Sequence, residues 1–128
     1  MTSETFISAV KTAVHDSGVR GVTETLKRPG GRRPPQRLVE LSRWFQSLAP
    51  ADQERVQQVI QLAVHSGIFG VLTVLDGVVQ IESGSDKGTL ELFYEHNGER
   101  QLLTDPSGEF LHDIYQGHVY EQVFGSIG

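Results

Sequence analysis

The spacing of the apolar residues changes once along this chain, and this change constrains the fold more than any other feature. Up to about Glu82, apolar residues recur every three or four positions, which is the period of an amphipathic helix. From Leu90 to Glu95 they alternate, which is the period of a strand, and Asn97 and Gly98 then give the strongest short signal for a hairpin turn. We therefore predict an α+β, mostly α fold: a small bundle of four to five helices with a C-terminal antiparallel β-hairpin, followed by a short helix.

Capping residues, glycines and prolines predict where the first helices begin and end. Ser3 is a suitable N-cap for the first helix, and Gly18 is a suitable end. A second short helix or a loose turn should follow, up to the break at Pro29. The next helix should begin at Pro35 and present one apolar face. The residues that we expect on this buried face are Leu38, Leu41, Trp44, Phe45 and Leu48.

The most apolar part of the sequence lies in the middle of the chain. Pro50 is well placed as the first residue of a further helix, because its missing N–H is not needed there. The expected buried residues of this helix are Val56, Val59, Ile60, Ala63 and Val64. Gly67 and Gly70 predict a bend, after which helical spacing continues through 68–82. A strand also fits part of 68–82, and the sequence leaves open whether 68–75 belongs to the core or to a homodimer interface.

A final helix is predicted to follow the hairpin. Asp105 and Pro106 should cap and open it, and Gly117 should end it. The tail 118–128 still carries apolar residues at helical spacing, so it fits a further turn of helix.

Length and composition set the broad class of protein. A chain of 128 residues is long enough to bury one core, so we expect a single globular domain over 1–128. The absence of cysteine excludes disulfides and thiolate metal sites, and it fits a reducing cytoplasm. Residues 1–14 lack the apolar core of a signal peptide, and the longest apolar run is far shorter than the roughly 20 residues of a membrane span. We therefore expect a soluble, cytoplasmic protein that does not enter membranes.

Charge is distributed unevenly along the chain. The net charge is -5, but residues 1–43 carry +4 and residues 44–128 carry -9. An acidic C-terminal region attracts a basic partner and repels nucleic acid. Aromatic side chains dominate the energetics of many interfaces, so an aromatic residue among the acidic ones is a candidate contact. The predicted partner-binding residues are Glu91, Phe93, Glu95 and Glu99.

The segment 27–37 is basic, unlike most of the chain. It contains three prolines, two glycines and five cations but no apolar residue to bury, so we predict an exposed basic loop. Its cations are Lys27, Arg28, Arg32, Arg33 and Arg37. Such a loop can contact the phosphates of nucleic acids, although it has no aromatic residue for base stacking and the acidic remainder of the chain would repel a polyanion.

Five histidines prompt a search for a metal site. Glu109, His112 and Asp113 have the three- and four-residue spacing of one helix face. A di-iron bundle needs two Glu-x-x-His pairs and further carboxylates, and only one such pair is found. The sequence also contains no Walker, dinucleotide-binding or nucleophile-elbow motif. The sequence therefore predicts no cofactor, no metal and no enzymatic activity.

This elimination leaves a binding role. We predict a non-enzymatic cytoplasmic protein of bacterial type that binds another, basic protein through its acidic C-terminal region, as an inhibitor, an immunity protein or an adaptor would. The first alternative is a nucleic-acid-associated regulator that uses the basic loop 27–37. The second is a small metal-dependent enzyme built around Glu109, His112 and Asp113.

Overall fold

A computed structural model of the chain describes residues 1–126. Four helices come first, a two-stranded antiparallel hairpin follows, and a fifth helix comes last. The elements in chain order are α1 (Ser3–Val10), a π-helical segment (Lys11–Asp16), α2 (Ser17–Lys27), α3 (Gln36–Ser47), α4 (Pro50–Leu75), β1 (Phe93–His96), β2 (Glu99–Leu102) and α5 (Leu111–Phe124). The predicted α+β, mostly helical fold is confirmed.

The first three helical elements form one uninterrupted stretch. Its N-cap is Thr2 rather than Ser3, and the Thr2 hydroxyl accepts a hydrogen bond from the Thr5 N–H at 3.1 Å. The predicted end at Gly18 is wrong, because the helix continues through it into α2. A Cβ at Gly18 would lie 3.5 Å from Cγ1 of Val64 in α4. Packing of α2 on α4 therefore holds the helix in place at this glycine.

The long helix α4 begins with Pro50 in its first turn, as predicted, and ends at Leu75. The bend predicted at Gly67 and Gly70 is wrong, because both glycines lie inside this helix. Residues 68–75 are therefore helix and not strand, and the helical spacing beyond Leu75 does not correspond to helix. The helix α4 is the longest element and packs against both α2 and α5.

Two clusters of buried apolar residues lie along α4, which contributes to both. The larger core forms where α1, α4 and α5 meet, and consists of Ile7, Leu72, Leu111, Ile114, Tyr115, Val119 and Val123. The smaller core forms where α2, α3 and α4 meet, and consists of Leu26, Phe45 and Ile60. The two ends of α4 are therefore covered by different partners.

The buried faces predicted for α3 and α4 are confirmed only in part. Phe45 and Ile60 are buried, whereas Leu41, Trp44 and Val59 expose 42%, 49% and 61% of their surfaces. The helix α3 packs chiefly against α2, so only a narrow stripe of its apolar face is covered. The spacing of apolar residues indicates which face of a helix is buried. The width of the stripe that is covered on that face depends on the number of neighbouring elements.

The hairpin has the turn that the sequence predicts. Asn97 has a φ of +51° and Gly98 a φ of +80°, which is the left-handed geometry of a type I′ turn. The strands pair in register with Phe93 opposite Leu102. The strand β1 begins only at Phe93, later than the alternation predicts.

The N-terminus of α5 is capped by a residue from the end of α4. The Asp76 carboxylate accepts hydrogen bonds from the backbone N–H groups of Leu111 and His112 at 3.1 and 2.9 Å. It also accepts one from Nδ1 of His112 at 2.6 Å. The helix α5 therefore begins at Leu111 and not at Asp105, whose carboxylate accepts from the Ser107 N–H in a separate turn.

The last helix is longer than predicted. It continues through Gly117 to Phe124, so the predicted end at Gly117 is wrong. The further helical turn expected in the tail is confirmed for residues 118–124. Residues 127 and 128 of that predicted tail lie outside the described residues.

Candidate functional site

The predicted acidic surface lies on the hairpin and just before it. Every residue from Tyr94 to Gln101 is exposed, so the helices cover little of this ribbon. Glu91, Glu95 and Glu99 are exposed as well, and none of them forms a salt bridge within residues 1–126. Glu91 precedes β1, so this glutamate and Glu95 do not share one face of a strand.

Phe93 lies on the inner side of the hairpin. It is half-buried opposite Leu102, and the guanidinium carbon of Arg100 lies 3.8 Å from the centroid of its ring, in a cation–π contact. Tyr94 and His96 lie on the opposite face, with their ring centroids 6.2 Å apart. The alternation from Leu90 to Glu95 puts Tyr94 on the same face as Leu90 and Leu92 and thus favours a buried Tyr94, whereas the structure leaves it exposed. Tyr94 is therefore the more accessible aromatic contact.

We call residues 76–110 the acidic connection, because they join α4 to α5 and contain eight acidic and two basic residues. Seven of the eight carboxylates are exposed, and the eighth, on Asp76, is 1% exposed. A cavity of about 320 Å³ lies between the end of α4 and this segment, with Glu82 and Glu91 on its wall among apolar side chains. The acidic connection thus presents a negative surface with a partly apolar recess.

The basic loop has the exposure that the sequence predicts. Its non-helical part, 28–35, joins α2 to α3, while Lys27 ends α2 and Arg37 lies in the first turn of α3. All five of its cations are exposed, and none of them forms a salt bridge in the part of the chain that the structure describes. Gln46 donates a hydrogen bond to the Lys27 carbonyl at 2.8 Å. This bond fixes one end of a positively charged surface.

The structure separates Glu109 from His112 and Asp113, the residues of the alternative metal-dependent enzyme. Glu109 lies before α5, so its expected three-residue helical spacing to His112 does not form. Nδ1 of His112 donates to Asp76, and Nε2 lies 3.4 Å from Oδ1 of Asp113. Across residues 1–126, no three His, Asp or Glu side chains are grouped as metal ligands. His112 therefore belongs to the junction between α4 and α5.

A buried polar network, which the sequence reasoning missed, joins the π-helical segment to α4 and α5. His15 is fully buried, with Nδ1 2.6 Å from the Tyr115 hydroxyl and Nε2 2.8 Å from Oε1 of Gln61. Because the Gln61 oxygen can only accept, Nε2 of His15 donates to it, and Nδ1 shares a hydrogen bond with the Tyr115 hydroxyl. Burial raises the pKa of Tyr115, and the charge of Asp16 adds to this. His15 and Tyr115 are both 0% exposed, so this pair belongs to the interior, while Gln61 is half-buried.

The π-helical segment is fastened to α5 by a second set of polar contacts. Lys11 and Asp16 are five residues apart and face each other across the wider turn, with a distance of 3.0 Å between Nζ and Oδ2. Gln122 of α5 donates to Oδ1 of Asp16 at 2.9 Å. Burial raises the pKa of Asp16, but the hydrogen bonds from Gln122 and Lys11 together lower it by more. The pKa of Asp16 therefore lies below its ordinary value.

His65 of α4 lies in an aromatic stack next to this network. Its ring stacks on Tyr115 and Phe69 at centroid distances of 5.5 and 5.3 Å, and it meets the edge of Phe124 at 5.1 Å. Its Nε2 is buried and has no hydrogen-bond partner within residues 1–126. Burial lowers the pKa of His65, and the nearby His15 lowers it further. Protonation of this ring is therefore disfavoured in the folded chain.

Three comparisons with known proteins gave no match. The chain matched no protein-family model, no curated protein and no solved structure. Within residues 1–126, α4 is one helix that is long and apolar enough to cross a membrane by length and composition, a test that core helices also pass, and 22% of its most apolar stretch is buried. The geometry of the described residues is therefore the basis for assigning a function.

Proposed function

We propose that this chain is a non-enzymatic, cytoplasmic protein-binding domain whose acidic hairpin surface, Glu91, Phe93, Glu95 and Glu99, contacts a basic protein. The observation that carries this proposal is the set of seven exposed carboxylates in the acidic connection. Tyr94 supplies an accessible aromatic ring on the same ribbon. An inhibitor, an immunity protein or an adaptor would use such a surface.

Electrostatics gives this surface a defined role in binding. Unpaired carboxylates on a weakly covered ribbon attract a basic partner over about one Debye length, roughly 8 to 10 Å at physiological salt. Complementary charge mainly raises the association rate and selects the partner. Arg100 contacts the ring of the half-buried Phe93, so we expect Phe93 to make a smaller part of the contact with the partner than the exposed glutamates and Tyr94.

The test is affinity capture of the tagged chain from a nuclease-treated lysate of its own organism, at low and moderate salt. We expect a basic protein to be retained by the wild type and lost from the triple variant E91Q/E95Q/E99Q. The control E24Q/E54Q/E121Q changes the net charge equally at three exposed glutamates outside the surface, and it should retain the partner. Equal binding by both variants, or equal loss from both, would contradict the proposed surface.

A second candidate function rests on the basic loop. Its five exposed cations form no salt bridge in the described part of the chain, which favours a phosphate-rich partner. In this case, R32Q/R33Q should lose affinity for a labelled nucleic acid duplex, and binding should fall steeply as salt rises. The matched control R20Q/R55Q removes the same charge from exposed helix positions and should bind like the wild type. Salt-insensitive binding would reject this candidate.

A further inference from the structure

The side of α4 that faces away from the cores is apolar over most of its length. Eight residues form two adjacent rows along it, each with the four-residue spacing of a helix ridge. The rows are Val59, Ala63, Gly67 and Val71, and Leu62, Ser66, Gly70 and Val74. Seven of the eight are exposed, and Val74 is half-buried. Val59 and Val71 each expose 61% of their surfaces, so this face lacks a partner among the described residues.

This face carries no charge. No Asp, Glu, Lys or Arg occurs between Arg55 and Asp76, although the chain as a whole has a net charge of -5. A second copy can therefore approach along this face without opposing like charges. A strongly basic partner gains nothing here and would favour the acidic connection instead.

The apolar patch continues beyond the end of the helix. Val78, Val79 and Ile81 expose 53%, 49% and 67% of their surfaces. Val79 and Ile81 line the same cavity as Val74, so the patch is continuous with the helix face. Together these residues expose on the order of 600 Å² of apolar surface, the upper end of what one patch on a monomeric soluble protein shows. This area approaches the roughly 800 Å² per partner that a standard stable interface buries.

The shape of the face matches a copy of itself. In each row, larger apolar residues stand at the two ends and two small residues stand in the middle. Ser66 and Gly67 lie at the centre, where small side chains let two helices approach closely. A two-fold axis at that point would bring the small residues of one α4 against those of the other, with ridges packed into grooves.

We infer that two copies of this chain pair through these faces of α4 in an isologous dimer, with Ser66 and Gly67 at the two-fold axis. The inference does not depend on the acidic hairpin surface, because it rests on the uncharged face of α4. It also answers the question that the sequence leaves open for residues 68–75. That segment serves both purposes, because Leu72 lies in the larger core while Gly70 and Val71 lie on the dimer face.

Sedimentation velocity over a wide range of concentration tests the dimer. The variant Gly67→Glu puts a bulky charge at the axis of both copies, and we expect it to raise the dissociation constant by at least about a hundredfold. A Cβ at Gly67 has no heavy atom within 4 Å, so the chain can hold the new side chain and still fold. Gly21→Glu is the matched control: it places the same residue at an open, exposed helix position away from α4 and should remain dimeric.

A crosslinking experiment locates the two-fold axis of the dimer. The chain has no cysteine, so Ser66→Cys introduces a single thiol that should give a disulfide-linked dimer on mild oxidation. Glu24→Cys, on an exposed part of α2, should give far less. A dimer that survives Gly67→Glu, or that fails to crosslink through position 66, would overturn this interface. So would a wild-type monomer at all concentrations, and flotation of that monomer with anionic phospholipid vesicles would assign the face to a membrane surface.

Discussion

The two cores at the ends of α4 differ in what they enclose and in what closes them. The larger core joins α1 and α5, from opposite ends of the sequence, and buries seven apolar residues next to the polar network of His15 and Tyr115. The smaller core buries three residues contributed by α2, α3 and α4, which are close in sequence, and Leu41 and Trp44 of α3 remain exposed. We infer that most of the stability of the fold resides in the larger core, where long-range contacts offset the cost of burying polar groups.

The largest expected effect comes from the same truncation made once in each core. Leu111 is 0% exposed and Leu26 is 8% exposed, so Leu111→Ala should leave the better enclosed cavity. We expect losses in the free energy of unfolding of about 4 kcal/mol for Leu111→Ala and about 2.5 kcal/mol for Leu26→Ala. Urea denaturation followed by circular dichroism measures both. A larger loss at Leu26 would reverse the ranking of the two cores.

The next effect comes from removing one hydroxyl near each core, the buried hydroxyl of Tyr115 and the part-buried hydroxyl of Thr23. Tyr115→Phe leaves Nδ1 of His15 without its partner, and we expect a loss of about 2 kcal/mol, within the cost of an unsatisfied buried group. Thr23→Val removes a part-buried hydroxyl bonded to Gln57 near the smaller core, and should cost about 0.5 to 1 kcal/mol. Equal losses in thermal unfolding would show that the enclosed network contributes no more than the half-exposed pair.

Acidification should lower the free energy of unfolding through His65, which stacks on Tyr115 of the larger core. The pKa of buried His65 lies below its ordinary value of 6.5, so near that pH the unfolded chain binds more protons than the folded chain. The contribution of His65 to the free energy of unfolding should therefore be complete above pH 6.5. It should be lost as the pH drops below that value. The lowered pKa of Asp16 adds a further loss at more acidic pH. Denaturation at a series of pH values measures this slope.

The variant His65→Phe isolates the histidine contribution to that slope. It keeps an aromatic ring between Tyr115 and Phe69 but removes the titrating group, so its stability should depend less on pH just below 6.5. Phe69→Leu weakens the same stack without removing a titrating group, and it should keep the slope of the wild type at a lower stability. An unchanged slope in His65→Phe would assign the acid sensitivity to other groups.

The smallest expected effect tests whether α2, beside the smaller core, and α5, in the larger core, unfold together. Gly21 of α2 and Gly117 of α5 are helical and exposed, and a Cβ at either position meets no heavy atom within 4 Å. Each glycine-to-alanine substitution should raise the free energy of unfolding by about 0.5 to 1 kcal/mol, because alanine is the better helix former. Equal gains by differential scanning calorimetry indicate one cooperative unit, whereas a gain at only one position would show that the ends unfold separately.

The parts of the fold that follow from nearby residues could be predicted from the sequence. The Asn97 and Gly98 turn is such a case, because its left-handed geometry is a property of those two residue types. Pro50 at the start of α4 is another. The exposure of the glutamates on the hairpin and of the arginines in the basic loop followed from the same local reasoning.

The errors occurred where a distant contact outweighed a local preference. Gly18, Gly67 and Gly117 each predicted a bend or a helix end, and each lies inside a helix. A glycine costs a helix only about 1 kcal/mol, which packing of the whole helix exceeds. The start of α5 was misplaced because its cap, Asp76, lies 35 residues earlier in the sequence.

The buried network could not be predicted for the same reason. His15 meets Gln61 and Tyr115, which lie 46 and 100 residues away in the sequence. None of these residues stands in a motif, since their relationship exists only after α4 and α5 have packed on the π-helical segment. The spacing of Glu109 and His112, in contrast, suggested a metal site that the true start of α5 removes.

The Asp76 carboxylate has a consequence for how this protein can evolve. It ends α4, caps α5 and holds His112, so it ties together the two ends of a 34-residue loop. The free-energy cost of closing a loop grows only slowly with its length. Insertions or deletions among the exposed residues 82–90 should therefore leave the helices in place, whereas Leu103, which is 3% exposed, must keep its position against the core.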